Sequence, residues 1–120
     1  MKKKVLIVDD AVISRMFLKK IFEEGDYEVV GEANNGLEGI RCYQELHPDL
    51  VTMDITMPMM NGIEALRQIR RFDPEAKVLM CTALGQKFRI AEAMEAGAAA
   101  FVVKPFQKDA VLEVVRKIIN

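Results

Sequence analysis

Five short apolar runs, each followed by a stretch of helical length, restrict this chain to very few architectures. They are Val5–Val8, the more polar Tyr27–Ala33, Leu50–Met53, Val78–Cys81 and Phe101–Val103. A short continuous apolar run bounded by polar or turn residues is the pattern of a parallel strand covered on both faces. Tyr27–Ala33 alternates and carries acids, which suits an edge strand. Parallel neighbours need crossover connections, and the intervening stretches supply them.

Each connection carries helical signals. Ala11–Glu24 places Ile13, Met16, Phe17 and Ile21 on one predicted inward stripe. Asn35, with Glu38 three residues on, is a capping-box variant that opens a helix to about Leu46, where His47-Pro48 stops it. After Gly62, Ile63, Leu66 and Ile69 repeat at threefold spacing. A helix is expected from about Gln86 to Ala96, with Ile90 and Met94 inward and Gly97 as its stop. Lys108–Ile119 is the last helix. Five βα units predict an α/β fold, an open doubly wound parallel sheet with helices on both faces; 120 residues are too few for a closed eight-unit barrel.

Length and charge narrow the function. One domain over residues 1–120 is expected, with no linker or low-complexity segment. A net charge of −1 gives no broad basic surface for nucleic acid, and Lys2-Lys3-Lys4 reads as a solvated lead-in to the first strand. No apolar stretch is long enough to span a bilayer, and Val5–Val8 is too short for a signal peptide. Cys42 and Cys81 are therefore expected to be reduced thiols in a cytoplasmic protein. His47 is the sole histidine, so histidine-based triads and the usual zinc sites are excluded.

In an open parallel sheet the carboxyl ends of the strands share one edge, and chemistry sits there. Here the first strand ends on Asp9-Asp10, the third on Asp54, the fourth on Thr82 and the fifth on Lys104. Three carboxylates brought together repel one another unless a proton or a cation neutralises them. A hard divalent ion with oxygen ligands suits the cluster, and Mg²⁺ fits because it uses few carboxylates and keeps positions for water and phosphate oxygens. With Mg²⁺ and Lys104 the formal charges cancel, and an incoming phosphoryl group is tolerated. An FMN-binding module is disfavoured, since the first loop, Asp9-Asp10-Ala11-Val12, repels anions and no phosphate-cradling glycine loop occurs.

Asp9-Asp10, Asp54, Thr82 and Lys104-Pro105, in this order across the whole chain, resemble the receiver domains of two-component response regulators. The stretches Asp54-Ile55-Thr56-Met57-Pro58, Gly85-Gln86 and Val103–Gln107 are most similar to the stand-alone chemotaxis members. The resemblance implies a flavodoxin-like strand order of 2-1-3-4-5. It also implies that Asp54 accepts a phosphoryl group from a phosphohistidine on a sensor histidine kinase, with Mg²⁺ held by Asp10, Asp54 and the Thr56 backbone carbonyl, and by Asp9 through water. Lys104 would meet the phosphoryl oxygens, and the Lys104-Pro105 bond would be cis. Thr82 and Phe101 would be switch residues, the latter a phenylalanine where many relatives carry tyrosine. Thr56 and Leu84 would flank the phosphoryl site. The expected protein is a monomer and a signalling protein, not an enzyme acting on other substrates. Its output partner would be the flagellar switch protein, or, in the alternative reading, it would carry phosphate in a relay or serve a non-chemotaxis pathway. An Asp-nucleophile phosphatase of the haloacid-dehalogenase type is disfavoured, because Thr56 stands where that class has a second acid. Phe88, on the polar side of the fourth helix, is a candidate partner contact.

Overall fold

The computed structural model describes residues 1–119, the side chain of Lys87 excepted. Its strands are β1 (Lys4–Val8), β2 (Glu28–Ala33), β3 (Leu50–Asp54), β4 (Val78–Thr82) and β5 (Ala100–Val103). Its α-helices are α1 (Val12–Glu24), α2 (Gly36–Leu46), α3 (Gly62–Phe72), α4 (Ile90–Glu95) and α5 (Lys108–Ile119). A 3₁₀ segment, Leu84–Arg89, leads into α4. All strand pairs are parallel, in the order β2-β1-β3-β4-β5, as the resemblance implies.

Strand alternation divides the core in two. Leu6, Val8, Val51, Met53, Val78 and Met80 face α2, α3 and α4, where they meet Tyr43, Ile63, Leu66, Ile69 and Ala93. Val5, Ile7, Leu50, Leu79, Cys81 and Val102 face α1 and α5, where they meet Leu18, Ile21, Phe22, Val111, Leu112 and Val115. β3 and β4 are buried along their full length because they lie inside the sheet with helices on both sides.

The helix caps follow the sequence. The Asn35 side chain accepts from Glu38 N–H, and the Asn61 side chain accepts from Glu64 N–H at the start of α3. Ile63, Leu66 and Ile69 are fully buried, as their spacing predicts.

Two helices depart from expectation. On α1 the buried residues are Leu18, Ile21 and Phe22, while Ile13, Met16 and Phe17 are exposed. The helix carries two overlapping apolar stripes, and helical periodicity cannot tell which one meets the sheet. The face turned to the core runs through Leu18, Ile21 and Phe22, and Ile13, Met16 and Phe17 lie around the helix from it, on the solvent side. The expected helix from Gln86 is 3₁₀ through Arg89, and α4 proper is six residues long. Ala93 is its buried residue, whereas Met94, expected inward, is exposed. No helix among the described residues is long and apolar enough to cross a membrane.

Candidate functional site

The carboxyl edge of the sheet gathers Asp9, Asp10 and Asp54. One carboxylate oxygen from each lies within 4.8 Å of the other two. Asp9 follows β1 directly and is fixed on several sides. Its N–H donates to Ala33 carbonyl, its Oδ1 accepts from Ala11 N–H, and its carbonyl accepts from Arg15 Nη1. Arg15 is itself held by Glu32 at the end of β2, 3.1 Å away. Asp10 projects into solvent.

Asp54 ends β3 and is only 5% exposed. Its backbone is clamped by a close approach. Gly62 N–H donates to Ile55 carbonyl at 2.7 Å, and a Cβ on Gly62 would stand 2.0 Å from the Asp54 carbonyl oxygen. Only glycine allows the start of α3 to pack against the strand end that presents the carboxylate.

Lys104 follows β5, its N–H donating to Thr82 carbonyl, with its peptide bond to Pro105 cis as the resemblance implies. Lys104 Nζ lies 2.9 Å from Asp9 Oδ2 and 3.5 Å from Asp54 Oδ1. Asp9 Oδ2 is buried, and its contact is the ion pair with the Lys104 ammonium.

These placements shift the proton affinities. Burial, then the charge of Asp9, push the Asp54 carboxyl up to about 7, against the opposing pull of Lys104. Burial works to lower the affinity of Lys104, but its contact with Asp9 and the charges of Asp54 and Asp9 outweigh it and raise the net value. Cys81 is paired in register with Asp54, is 1% exposed, and has its thiol pushed up by burial and then by Asp54 and Asp9.

Three carboxylates with one ammonium leave uncompensated negative charge. The donor set is all hard oxygen, and Asp9 Oδ2 is a buried oxygen with no partner among the described residues besides the Lys104 ammonium. Both features fit a small divalent cation of the Mg²⁺ type.

Thr82 is fully buried at the end of β4, its hydroxyl donating to Ala83 carbonyl. Thr56 lies in the loop after β3, where its hydroxyl accepts from Gln86 Nε2. Phe101 is 40% exposed on edge strand β5, and so is not a core aromatic in this conformation. Phe88 is 79% exposed, on the open side as expected, and stands apart from the acidic cluster in the 3₁₀ segment. Two features escaped sequence reasoning: the Gln86 contacts, and the apolar surface of Ile13 and Phe17. The latter borders a groove of about 210 Å³ that includes Lys104, Pro105 and Phe106.

Residues 5–116 match the response regulator receiver domain. The chain belongs to that family. This receiver is 54% identical over 118 residues to the chemotaxis protein CheY of Thermotoga maritima, covering 98% of each chain. It is 52% identical over 117 residues to Protein CcdB of Bacillus subtilis, covering 98% of each. Among solved structures it superposes with a TM-score of 0.93 on a chain of the CheX-CheY-BeF3-Mg+2 complex from Borrelia burgdorferi. That match is 37% identical, covering 98% of this chain and 90% of the other. The receiver family makes this a two-component signalling protein, and its nearly full-length likeness to CheY is consistent with a stand-alone chemotaxis regulator.

Proposed function

We propose that this receiver is a stand-alone chemotaxis response regulator of the cytoplasm, phosphorylated on Asp54 and read out by the flagellar switch protein. The observation that carries the phosphoacceptor role is the convergence of Asp9, Asp10 and Asp54 with Lys104 on one sheet edge. The phosphodonor is a phosphohistidine on a CheA-like sensor kinase. An oxygen of ionised Asp54 attacks phosphorus, the P–N bond breaks, and its electron pair returns to the imidazole, which takes up a proton. The product is an aspartyl phosphate, an acyl phosphate formed by in-line transfer.

Each neighbour has a task. Lys104 Nζ, 3.5 Å from Asp54 Oδ1, would meet the phosphoryl oxygens. Asp10, Asp54 and the Thr56 carbonyl would hold Mg²⁺ directly, and Asp9 through water. The ion supplies positive charge that lets a carboxylate and a phosphoryl group meet. Thr82 would give up its bond to Ala83 carbonyl and turn its hydroxyl to the phosphoryl group, with Phe101 moving inward behind it. A full switch, from 1:99 to 99:1, needs ~5.5 kcal/mol of differential stabilisation, which charge-assisted hydrogen bonds to a dianion can largely supply.

The exposed apolar residues divide by location. Ile13 and Phe17, beside Lys104 and Pro105, suit a donor that must reach Asp54. Phe88, exposed in the 3₁₀ segment, suits a reader of the switched state. The similarity to Protein CcdB, almost equal to that with CheY, favours one second reading: a receiver in a relay or a pathway other than chemotaxis.

Acetyl phosphate with and without Mg²⁺, followed by intact mass measurement, tests the chemistry. One base-labile phosphoryl group, dependent on Mg²⁺ and absent from Asp54→Asn, is expected. No adduct, or an adduct on another residue, refutes the phosphoacceptor role.

A further inference from the structure

The loop after β4 is tied down by one side chain. Gln86 Oε1 accepts from Ala83 N–H at 3.2 Å, Gln86 Nε2 donates to Thr56 Oγ1, and Gln86 N–H donates to Ala83 carbonyl at 3.0 Å. That carbonyl also accepts from the Thr82 hydroxyl at 3.1 Å. Both backbone polar groups of Ala83 and the Thr82 hydroxyl are thus engaged in one knot, whose outer end is fastened to the loop after β3. The adjoining residues add little hold. Leu84 and Phe88 are exposed, and a Cβ on Gly85 would meet nothing within 4 Å.

Register places this knot at the site. Asp54 pairs with Cys81 across β3 and β4, so Thr82 and Ala83 are the next residues past the Asp54 carboxylate on the neighbouring strand. The Thr82 hydroxyl and the Ala83 N–H are the donors this strand end can offer to an anion on Asp54. In the present conformation the first is spent on Ala83 carbonyl and the second on Gln86.

We infer that Gln86 is a positioning residue that holds Thr82 and Ala83 back from the phosphoryl site. Its carboxamide joins Ala83 N–H to the Thr56 hydroxyl, and both contacts must break before the strand end can turn to a phosphoryl group on Asp54. The inference rests on the reading of Asp54 as phosphoacceptor. A contact made in one state and lost in the other biases the equilibrium by its own strength. Removing it makes the receptive conformation easier to reach, so phosphorylation by a small donor becomes faster.

The test compares wild type, Gln86→Ala, Thr56→Val and the double variant. The first readout is hydrogen exchange of the Ala83 amide in the unphosphorylated protein, expected to be ~3–10-fold faster in Gln86→Ala. The second is the Mg²⁺-dependent rate of phosphorylation by acetyl phosphate. Each single variant should raise it ~3–10-fold, and the double variant should exceed neither, because the two side chains form one contact. Unchanged exchange, an unchanged or slower rate, or effects that multiply in the double variant overturn the inference. Should Gln86→Ala fail to fold, Thr56→Val removes the outer anchor of the same carboxamide and carries the test through the phosphorylation rate. Faster Ala83 exchange in a protein whose wild type takes no phosphoryl group would remove the phosphoacceptor reading. It would reduce the Gln86 contacts to loop structure, which also overturns the role inferred for them.

Discussion

The segments that follow β3 and β4 leave neighbouring strand ends in the same direction, yet they are built in opposite ways. α3 starts on a side-chain cap at Asn61, runs for 11 residues and buries Gly62, Ile63, Ala65, Leu66 and Ile69. Leu84–Glu95 starts as 3₁₀, has no side-chain cap where α4 begins, and buries Ala93 alone in α4. Burial and capping decide how far a segment can open below the global unfolding free energy. α3 is fastened to the strand that carries Asp54. The segment after Thr82 is held by polar contacts that can be exchanged. The acid of the site thus stands on fixed ground, and the strand end proposed to read it stands on ground that can move.

The glycines offer the sharpest way to break this contrast. Gly62→Ala would drive a Cβ to 2.0 Å from the Asp54 carbonyl oxygen, where backbone has to shift. A loss of ~3 kcal/mol or more in urea unfolding is expected, with phosphorylation lost as Asp54 is displaced. Gly85→Ala meets open space and should change stability by less than ~0.5 kcal/mol. Similar losses at the two positions would mean that the second segment is as tightly built as the first.

Next come the apolar residues. Leu66→Ala, at a fully buried site, should cost ~3 kcal/mol, and Met94→Ala, half exposed on α4, less than ~1 kcal/mol. Denaturant midpoints at constant slope read both.

A third test uses pH at the fixed acid. The Asp54 value is raised from 3.8 to about 7, so the metal-free fold retains a proton that the unfolded chain releases as pH climbs between them. Stability from this group is therefore full below about pH 4 and is lost as pH rises toward 7 and beyond. Asp54→Asn should be more stable than wild type by ~1–3 kcal/mol at pH 8 in chelator, with the gap closing near pH 4. Mg²⁺ should narrow the gap at pH 8 by binding the folded wild type. A gap that is equal at both pH values would show that burial does not oppose ionisation of Asp54.

Phe88 should matter for binding and hardly at all for stability. Its ring is exposed, so Phe88→Ala should change the unfolding free energy by no more than ~0.5 kcal/mol. The same change should weaken binding of the phosphorylated protein to a switch-protein partner, measured by titration. Unaltered affinity would take Phe88 out of the reading surface.

The same contrast explains what could be read from the chain. Leu50–Met53, Val78–Cys81 and the Ile63, Leu66, Ile69 spacing have one reading each, because buried parallel strands and a single-striped helix leave no competing face. Asp9, Asp10, Asp54 and Lys104 were legible as a group because a parallel sheet aligns its strand ends whatever the loops do. α1 misled because Ile13, Met16 and Phe17 make as good a stripe as Leu18, Ile21 and Phe22, and only the position of the sheet chooses between them. Met94 misled because the turn before α4 is wound more tightly than an α-helix, which rotates the face that follows. The Gln86 contact with Thr56 spans 30 residues and depends on loop conformation, so no local pattern announces it.

Cys81 gives the sheet a built-in timer. Cys81 is the register partner of Asp54 on the neighbouring strand, its thiol sealed on the α1–α5 side, and burial with nearby negative charge keeps it protonated. A buried protonated thiol is inert toward alkylating reagents and oxidants until the surrounding structure opens. The labelling rate of Cys81 in otherwise native protein therefore counts openings of the central strands. Cys42, half-buried on α2, offers an earlier-reacting thiol in the same molecule against which those openings can be clocked.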